Sequence, residues 1–253
     1  MHAHRTLSNP RLVRLLGEWA SLDVETPRQD FAERLSGWLT AFDTVRLEAA
    51  LQSIQAFARQ GGAPSRDLPL ALDEFYQRAR EALTAGFTLP EPRTAVDKRL
   101  RDRLPVEVQN VDDVDYGNYF QAYLDHQRRF ELKISQLRGQ VRQVLSRGSS
   151  ALRQLAAMDA VMEQMLGARE QKLLATVPVY LERRFESRRQ AHKAWLKATQ
   201  AEDDPKTWRQ PGAWLHGFQQ DWRDILTADM TARLLPVVGL IEAYQNEIQA
   251  RSE

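Results

Sequence analysis

Apolar side chains recur every three or four positions through most of this chain, a period that predicts helices and not strands. The most regular stretch alternates steps of three and four over several heptads, with one polar member. We call these positions the seam: Phe120, Tyr123, Gln127, Phe130, Ile134, Leu137, Val141 and Val144. Such spacing keeps one stripe of a helix against a partner helix and, when sustained, imposes a left-handed supercoil. The seam therefore predicts a long, coiled-coil-like helix over about residues 116–147.

The seam leaves two interpretations of its partner open. Its regularity exceeds what a mixed core requires, which favours assembly with a second copy or with another protein. In that case Gln127 would fix the register, because a polar seam residue penalises misaligned pairings. The alternative is that the stripe packs entirely on residues 151–200 of the same chain.

Caps and helix breakers divide the chain into three regions. Residues 1–85 hold helix-forming segments joined by short loops, typical of a small N-terminal bundle, and the prolines of residues 86–115 mark a linker region. Residues 116–253 contain the seam helix, a second long run and a C-terminal helical pair at about 214–225 and 234–248. A short Gly-Ser turn joins the two long runs, which predicts an antiparallel helical hairpin.

Local signals refine this all-α prediction, which amounts to roughly 70% helix, about twice the usual share. We expect Ser150 to cap the second run and Pro178 to kink it, because proline removes a backbone donor. The X-Pro steps at 204–205 and 210–211 predict a break before the C-terminal pair. The predicted core comprises Leu35, Trp38, Leu51, Phe57, Phe130, Ile134, Leu137, Val141, Leu166, Leu173 and Leu181.

The composition limits the classes of function. Basic and acidic residues nearly balance, 35 against 34, whereas a nucleic-acid or membrane-surface protein usually carries a clear basic surplus. The chain has no cysteine, which excludes disulfides, thiolate nucleophiles and cysteine-ligated zinc. Its most apolar run, at 234–241, is far shorter than the ~20 residues of a membrane span, and the N-terminus lacks a secretory h-region. We expect a cytoplasmic protein without direct membrane insertion.

Candidate catalytic or metal-binding residues are few. Asp112, Asp113 and Asp115 precede the seam helix without the spacing of a calcium loop, and we interpret them as negative charge at a helix N-terminus. A second acidic motif at 221–224 is too thin to complete a metal site. His126 and the other histidines lack metal-ligand spacing and are expected at the surface or flanking a helix. Because phosphate loops and nucleophile motifs are missing as well, we expect no enzyme, no metal and no cofactor.

A basic face is the strongest local charge bias on the second run. It comprises Arg183, Arg184, Arg188, Arg189 and His192. Guanidinium groups there would suit phosphates or an acidic partner helix. The interleaved glutamates instead favour a solvated face with i,i+3 and i,i+4 pairs. Another basic run, at 98–103, is interrupted by acidic residues in the same way.

Two blocks of sequence resemble one bacterial family. They are LSNPRLVRLLGEWASLDVETPRQDFAERLSGWLTAFDTVRLEAAL near the N-terminus and TVPVYLERRFESRRQAH further along, and both are similar to the family called domain of unknown function 3348. The resemblance implies a proteobacterial protein without an assigned activity, so no functional residue carries over. It also implies genes placed beside proteins that look like ion-driven motor stators and OmpA-type peptidoglycan binders.

These observations lead to one expected function and one alternative. We expect a non-catalytic helical interaction or scaffold protein, a cytosolic accessory of a bacterial envelope complex. Its partner is then a protein, in a membrane motor-like or OmpA-type complex, and homo-oligomerisation stays open. The alternative is a helical nucleic-acid-binding protein that uses the two basic runs, whose affinity would fall steeply with salt.

Overall fold

The computed structural model describes residues 11–19, 41–60, 72–87 and 114–252 of the chain. Of these residues 86% are helical and none belongs to a strand, which confirms the all-α prediction. The helices, numbered in chain order, are α1 (Arg11–Trp19), α2 (Ala41–Gln60), α3 (Leu72–Thr84), α4 (Tyr116–Leu145), α5 (Ser150–Leu174), α6 (Val177–Thr199) and α7 (Trp214–Ser252). None of these described helices is long and apolar enough to cross a membrane.

Helices α4 and α5 form the predicted long hairpin. Helix α4 begins where Asp115, in an extended conformation, accepts a hydrogen bond from the amide of Gly117 at 2.9 Å. After the turn that ends α4, the Ser149 hydroxyl accepts a hydrogen bond from the amide of Leu152 at 3.2 Å. The cap of α5 is therefore Ser149. The prediction of Ser150 was wrong by one residue, because Ser150 already belongs to the helix.

The run predicted over 151–200 consists of two helices. Helix α5 ends at Leu174 and α6 begins at Val177, with Pro178 in its first turn. A proline there costs little, because amides in the first turn of a helix have no intrahelical partner. The prediction that Pro178 kinks a continuous helix was therefore wrong, since this proline lies where a new helix starts.

The C-terminal part is one helix rather than a pair. Helix α7 runs over 39 residues and contains Pro236, which cannot donate to the carbonyl four residues earlier. Leu234, Val237 and Leu240 around it are all buried, and the apolar area they remove from water offsets the lost hydrogen bond. The predicted helical pair was therefore wrong, whereas the predicted break before it is present between α6 and α7.

Helix α7 lies at the centre of the fold. It packs most extensively against α4 and also against α6, α1, α5 and α3, while α2 packs on α5. Aromatic rings fill the contact between α4, α6 and α7: the centroids of Tyr119, Phe185 and Phe218 lie 4.9 to 6.4 Å apart. In the described part of the chain, α1, α2 and α3 make their main contacts with these longer helices. The predicted division into three regions stays a prediction.

The seam packs inside its own chain. Its members divide by burial into buried Tyr123, Phe130, Ile134, Leu137 and Val141 and half-buried Phe120, Gln127 and Val144. Tyr119, His126 and Leu145 are buried as well, so the buried positions repeat about every 11 residues rather than every seven. That period is near the natural period of a straight helix and imposes no left-handed supercoil. The main partner of α4 is α7. The alternative prediction, that the seam packs entirely on residues 151–200 of its own chain, was therefore right about the chain but not about the segment.

Part of the predicted core is confirmed. The buried members are Phe130, Ile134, Leu137, Val141 and Leu181. Leu51 and Leu166 are half-buried. Leu173 was wrong, because it is 56% exposed at the end of α5 and its neighbour Leu174 packs on the core instead. Leu35, Trp38 and the side chain of Phe57 lie outside the described residues.

Candidate functional site

Helix α6 carries every residue of the predicted basic face, so its packing decides what that face can do. Its N-terminal half buries an apolar side against α4 and α7, through Val177, Leu181 and Phe185. Tyr116 of α4 fastens the same end, because its hydroxyl donates to the carbonyl of Pro178 at 2.5 Å. The helix that carries the basic residues is therefore held firmly at its beginning.

Arg184 and Arg188 of the basic face point inward. Their Nε atoms both donate to Oδ2 of Asp221 on α7, at 2.8 and 2.5 Å. The Asp221 side chain is only 15% exposed, which limits screening of these charges by water. The guanidinium of Arg184 also lies over the ring of Trp19, 5.8 Å from its centroid. These two arginines therefore tie α6 to α7 and α1.

The other two arginines of the basic face, Arg183 and Arg189, differ in exposure. Arg183 is exposed, with its guanidinium carbon 5.8 Å from the centroid of the Tyr180 ring. Arg189 is half-buried, with 25% of its side chain exposed, and its Nη1 lies 3.6 Å from Oε1 of Glu186 on the same helix. The solvated-face interpretation therefore describes Arg183, whereas Arg184 and Arg188 serve the fold.

His192 lies in an aromatic cluster between α6 and α7. Its ring is nearly parallel to those of Trp195 and Trp214, with centroids 6.2 and 6.0 Å away. It meets Trp208 edge-on at 6.2 Å. We call these four residues the His–Trp cluster. His192 Nε2 lies 3.0 Å from Oδ1 of Asp203, which also accepts a hydrogen bond from the indole N–H of Trp208 at 2.7 Å.

The His–Trp cluster makes Asp203 more acidic. Burial alone would raise the pKa of this carboxyl, but hydrogen bonds to His192 and Trp208, with the nearby charges of His192 and Lys193, hold the pKa below its usual 3.8. Asp203 is therefore ionised except at strongly acid pH. As a fixed acceptor, it connects the C-terminal part of α6 to the segment between α6 and α7.

The solvent side of the His–Trp cluster is Trp195. This residue is 55% exposed although it is large and apolar. Exposed alanines lie beside it on the same helix, at positions 191, 194 and 198. Trp195 and these alanines give the end of α6 an apolar surface.

A second polar cluster is buried between α4 and α7. Asp229 is completely buried, and its Oδ2 accepts hydrogen bonds from the Tyr123 hydroxyl at 2.8 Å and from Gln127 Nε2 at 3.3 Å. Its Oδ1 accepts from Arg233 Nε at 2.7 Å. Gln127 Nε2 also donates to the carbonyl of Leu174, the last residue of α5, at 3.1 Å. The polar seam residue thus fixes α4, α5 and α7 relative to one another within one chain.

A third cluster joins α4 to α5. Arg138 binds Asp159 through two hydrogen bonds of 2.8 and 2.6 Å, and Arg142 reaches the same carboxylate at 3.1 Å. Arg138 and Asp159 are only 12% and 11% exposed, and a bidentate pair of this kind is among the stronger hydrogen-bonded contacts. Gln171 pairs with Glu131 further along, so the two helices run antiparallel. This cluster has a structural role.

The acidic candidates that the structure describes lie in separate contacts. Asp115 caps α4, and Asp112 and Asp113 lie outside the described residues. Asp224 accepts a hydrogen bond from Arg11 of α1 at 2.8 Å. In the part of the chain that the structure describes, no group of three metal-ligating side chains occurs.

His126 is buried, so the prediction of a surface or helix-flanking position was wrong. It is 7% exposed, and its ring centroid lies 5.6 Å from those of Phe87 and Trp222. The sequence did carry a signal for this burial. Leu137 lies 11 residues after His126, which is about three helical turns, so the two residues are on the same side of α4 and the apolar Leu137 marks that side as buried.

Sequence reasoning missed the carboxylates on which these clusters depend. For Asp229 a signal existed, because Arg233 follows four residues later within an apolar stretch. For Asp203 and Asp221 the sequence offers none. His192 lies 11 positions from Asp203, and the two arginines lie 33 and 37 positions from Asp221, so these pairs meet only in the folded chain.

Comparison with known families gives one match. A family model described as "Protein of unknown function (DUF3348)" matches residues 1–246 of the chain. This span agrees with the resemblance of the two sequence blocks. No curated protein and no solved structure matches the chain.

Proposed function

The chain belongs to the DUF3348 family, and we propose from its own residues that it works as a non-catalytic helical interaction protein. The observation that carries this proposal is the end of α6, where Trp195 is 55% exposed. An aromatic side chain that its neighbours hold at the surface is characteristic of residues that dominate protein–protein binding. The arginines that would compete as a functional surface, Arg184 and Arg188, are bound to Asp221.

The buried polar groups favour the same proposal. Asp229 and Arg233 neutralise each other, and Tyr123 and Gln127 complete the hydrogen bonds of the carboxylate. A buried charge with this many partners contributes to a unique arrangement of helices. The seam residues of α4 pack in the same core, against helices of their own chain, so we assign the seam to the fold and not to self-assembly.

We further propose that the protein is a bacterial, cytoplasmic accessory of an envelope complex. The support is the gene neighbourhood that the family resemblance implies, with proteins that look like motor stators and OmpA-type binders. The partner in this proposal is the cytoplasmic part of such a complex.

The nucleic-acid alternative receives little support from α6. Two of its arginines share the carboxylate of Asp221, and the basic run at 98–103 lies outside the described residues. We expect generic DNA and RNA to show no binding that falls steeply with salt, because such a dependence requires several phosphate contacts. Fluorescence anisotropy over a salt series measures this.

Affinity purification from the native host tests the proposed function. The tagged chain, expressed at its natural level and cross-linked mildly, is isolated from membrane and soluble fractions, and its partners are identified by mass spectrometry. We expect one envelope complex to be enriched over the tag-only control. Recovery of no protein above that control, or of nucleic acid alone, would contradict the proposal.

A further inference from the structure

Helix α2 is attached to the rest of the fold along one side. It packs on α5 and makes no comparable contact with another helix that the structure describes. Its described side chains that are buried or half-buried follow one another at helical spacing and share one side. They are Asp43, Leu47, Ala50, Leu51 and Ile54. The described side chains between them are exposed, so a single interface holds α2 in place.

The opposing side of α5 is lined by methionines. Its residues follow at steps of four, three and four, which places them on one side of the helix, and we call them the methionine side: Met158, Met162, Met165 and Arg169. This side faces α2, because Nη2 of Arg169 donates to Oδ2 of Asp43 at 2.6 Å. Asp43 lies at the beginning of α2 and Arg169 near the end of α5, so the two helices run antiparallel.

The contact between α2 and the methionine side is separate from the main core. Ile54 and Met165 are buried, yet neither belongs to the main hydrophobic core of the described residues. Helix α5 meets that core through other residues, such as Leu152 and Ala156. Elements with few buried apolar contacts open at a lower free energy than the core. Detachment of α2 would therefore leave the main core intact.

Helix α2 can also leave without losing its own structure. It has 20 residues, most of them alanine, leucine, glutamine and arginine, which favour helices, and isolated helices become marginal only below about 12–15 residues. The surface that it leaves behind is adaptable, because methionine side chains are unbranched and adjust to differently shaped partners. The methionine side can thus accept another helix in the place of α2.

We propose that α2 is a removable cover and that the methionine side of α5 is a second docking site, for an amphipathic helix of a partner protein with a carboxylate opposite Arg169. This inference goes beyond the proposed function, which rests on the end of α6. The present occupant defines the chemistry of the partner helix, whose apolar side contacts the methionines while its carboxylate replaces Asp43. The Arg169 side chain is 36% exposed, so an incoming carboxylate can reach it while α2 is still bound.

A labelled peptide with the sequence of residues 41–60 tests whether the occupant can be exchanged. The full-length variant Leu47→Asp/Ile54→Asp, the opened variant, weakens the chain's own α2 and leaves α5 unchanged. In fluorescence anisotropy titrations we expect it to bind the peptide at least about tenfold more tightly than wild type, in which the tethered α2 competes at an effective concentration on the order of millimolar. Equal binding by the two proteins, or binding by neither, would overturn the proposal.

The matched control places the same two charges on the other side of α2. Val45 and Gln52 are exposed, so the full-length variant Val45→Asp/Gln52→Asp should bind the peptide like wild type. Binding as tight as that of the opened variant would mean that the charges act without releasing α2, and the removable cover would be wrong.

The ion pair with Arg169 tests where the peptide binds. A peptide with Asp43→Arg should bind the opened variant at least about fivefold more weakly, because like charges then meet across the contact. Adding Arg169→Asp to the opened variant should reverse the preference between the two peptides. An unchanged preference would place the peptide elsewhere and exclude the methionine side.

Urea denaturation tests the separation of α2 from the main core. Tryptophan fluorescence reports on that core, since α2 contains no tryptophan. If α2 leaves before the core unfolds, the midpoint for the opened variant should lie within about 1 M urea of that for wild type. A larger fall, or an opened variant that does not fold, would show that α2 belongs to the core and would overturn the proposal.

Purification from the native host identifies the occupant. We expect the opened variant to enrich, at least about threefold over wild type, a protein whose capture is abolished by excess peptide 41–60. Capture at the wild-type level, or capture that the peptide does not affect, would exclude this docking site while the interaction function at the end of α6 stands. A wild-type dimer in light scattering that the opened variant converts to a monomer would identify a second copy as the occupant and would also overturn the proposal.

Discussion

Removal of the Asp229 carboxylate is expected to cost the fold more than any surface change. In the wild type this carboxylate is fully buried and accepts hydrogen bonds from Tyr123, Gln127 and Arg233. Asp229→Ala leaves the Arg233 guanidinium, in a side chain only 11% exposed, without its counter-charge. Removing one partner of a buried ion pair costs about 3–5 kcal/mol. We therefore expect the free energy of unfolding to fall by at least about 3 kcal/mol, a large share of the ~5–15 kcal/mol that stabilises a typical domain.

Urea denaturation followed by far-UV circular dichroism measures this loss. Asp125→Ala is the control, because its ion pair with Arg128 has side chains 70% and 71% exposed and should contribute less than about 0.5 kcal/mol. The double variant Asp229→Leu/Arg233→Met removes both charges together and should recover most of the stability, because neither charge is then left unpaired. A loss below about 1 kcal/mol for Asp229→Ala would refute the assignment of Asp229 as the anchor between α4 and α7.

The same denaturation assay checks three further predictions. Gly139→Ala should stabilise the protein by about 0.5–1 kcal/mol, because glycine weakens a helix interior and a Cβ there would have no described atom within 4 Å; a loss of stability would contradict this. Gly217→Ala should destabilise it, since its Cβ would overlap the guanidinium of Arg188 and displace it from Asp221; unchanged stability would show that Arg188 moves freely. Burial and the neighbouring carboxylate of Asp229 raise the pKa of Tyr123 well above its ordinary 10.0, so the stability this residue contributes is present below pH ~10 and lost as the pH rises further. Between about pH 9 and 11 the stability of Tyr123→Phe should fall less steeply than that of wild type, and equal slopes would contradict the assignment.

The parts of the fold that the sequence predicts well have local signals. The apolar period of α4 and the short Gly-Ser turn after it are sufficient for the hairpin, because neither depends on distant residues. The continuity of α7 could not be predicted in this way. Pro236 marks a helix boundary by local rules, and only the burial of Leu234 and Val237 in the folded chain overrides it.

The candidate site shows a similar division between local and long-range information. The sequence locates the basic residues of α6 but gives no direction for their side chains. Arg184 and Arg188 lie beside the buried Phe185, and their inward orientation depends on Asp221, which is 33 to 37 positions away. Trp195 carries no signal of its own in the sequence, because a tryptophan at helical spacing indicates a core residue in most helices. Its exposure is visible only in the assembled structure.

Site-specific photo-cross-linking in the native host tests the central claim, that the end of α6 receives a partner protein, most directly. A benzoylphenylalanine side chain replaces Ala194, which is exposed beside Trp195 on α6, and in a parallel strain replaces Gln136, which is exposed on α4. We expect irradiation to yield one discrete adduct with a partner protein from position 194 and none from position 136. No adduct at position 194, or the same adducts at both positions, would contradict the claim.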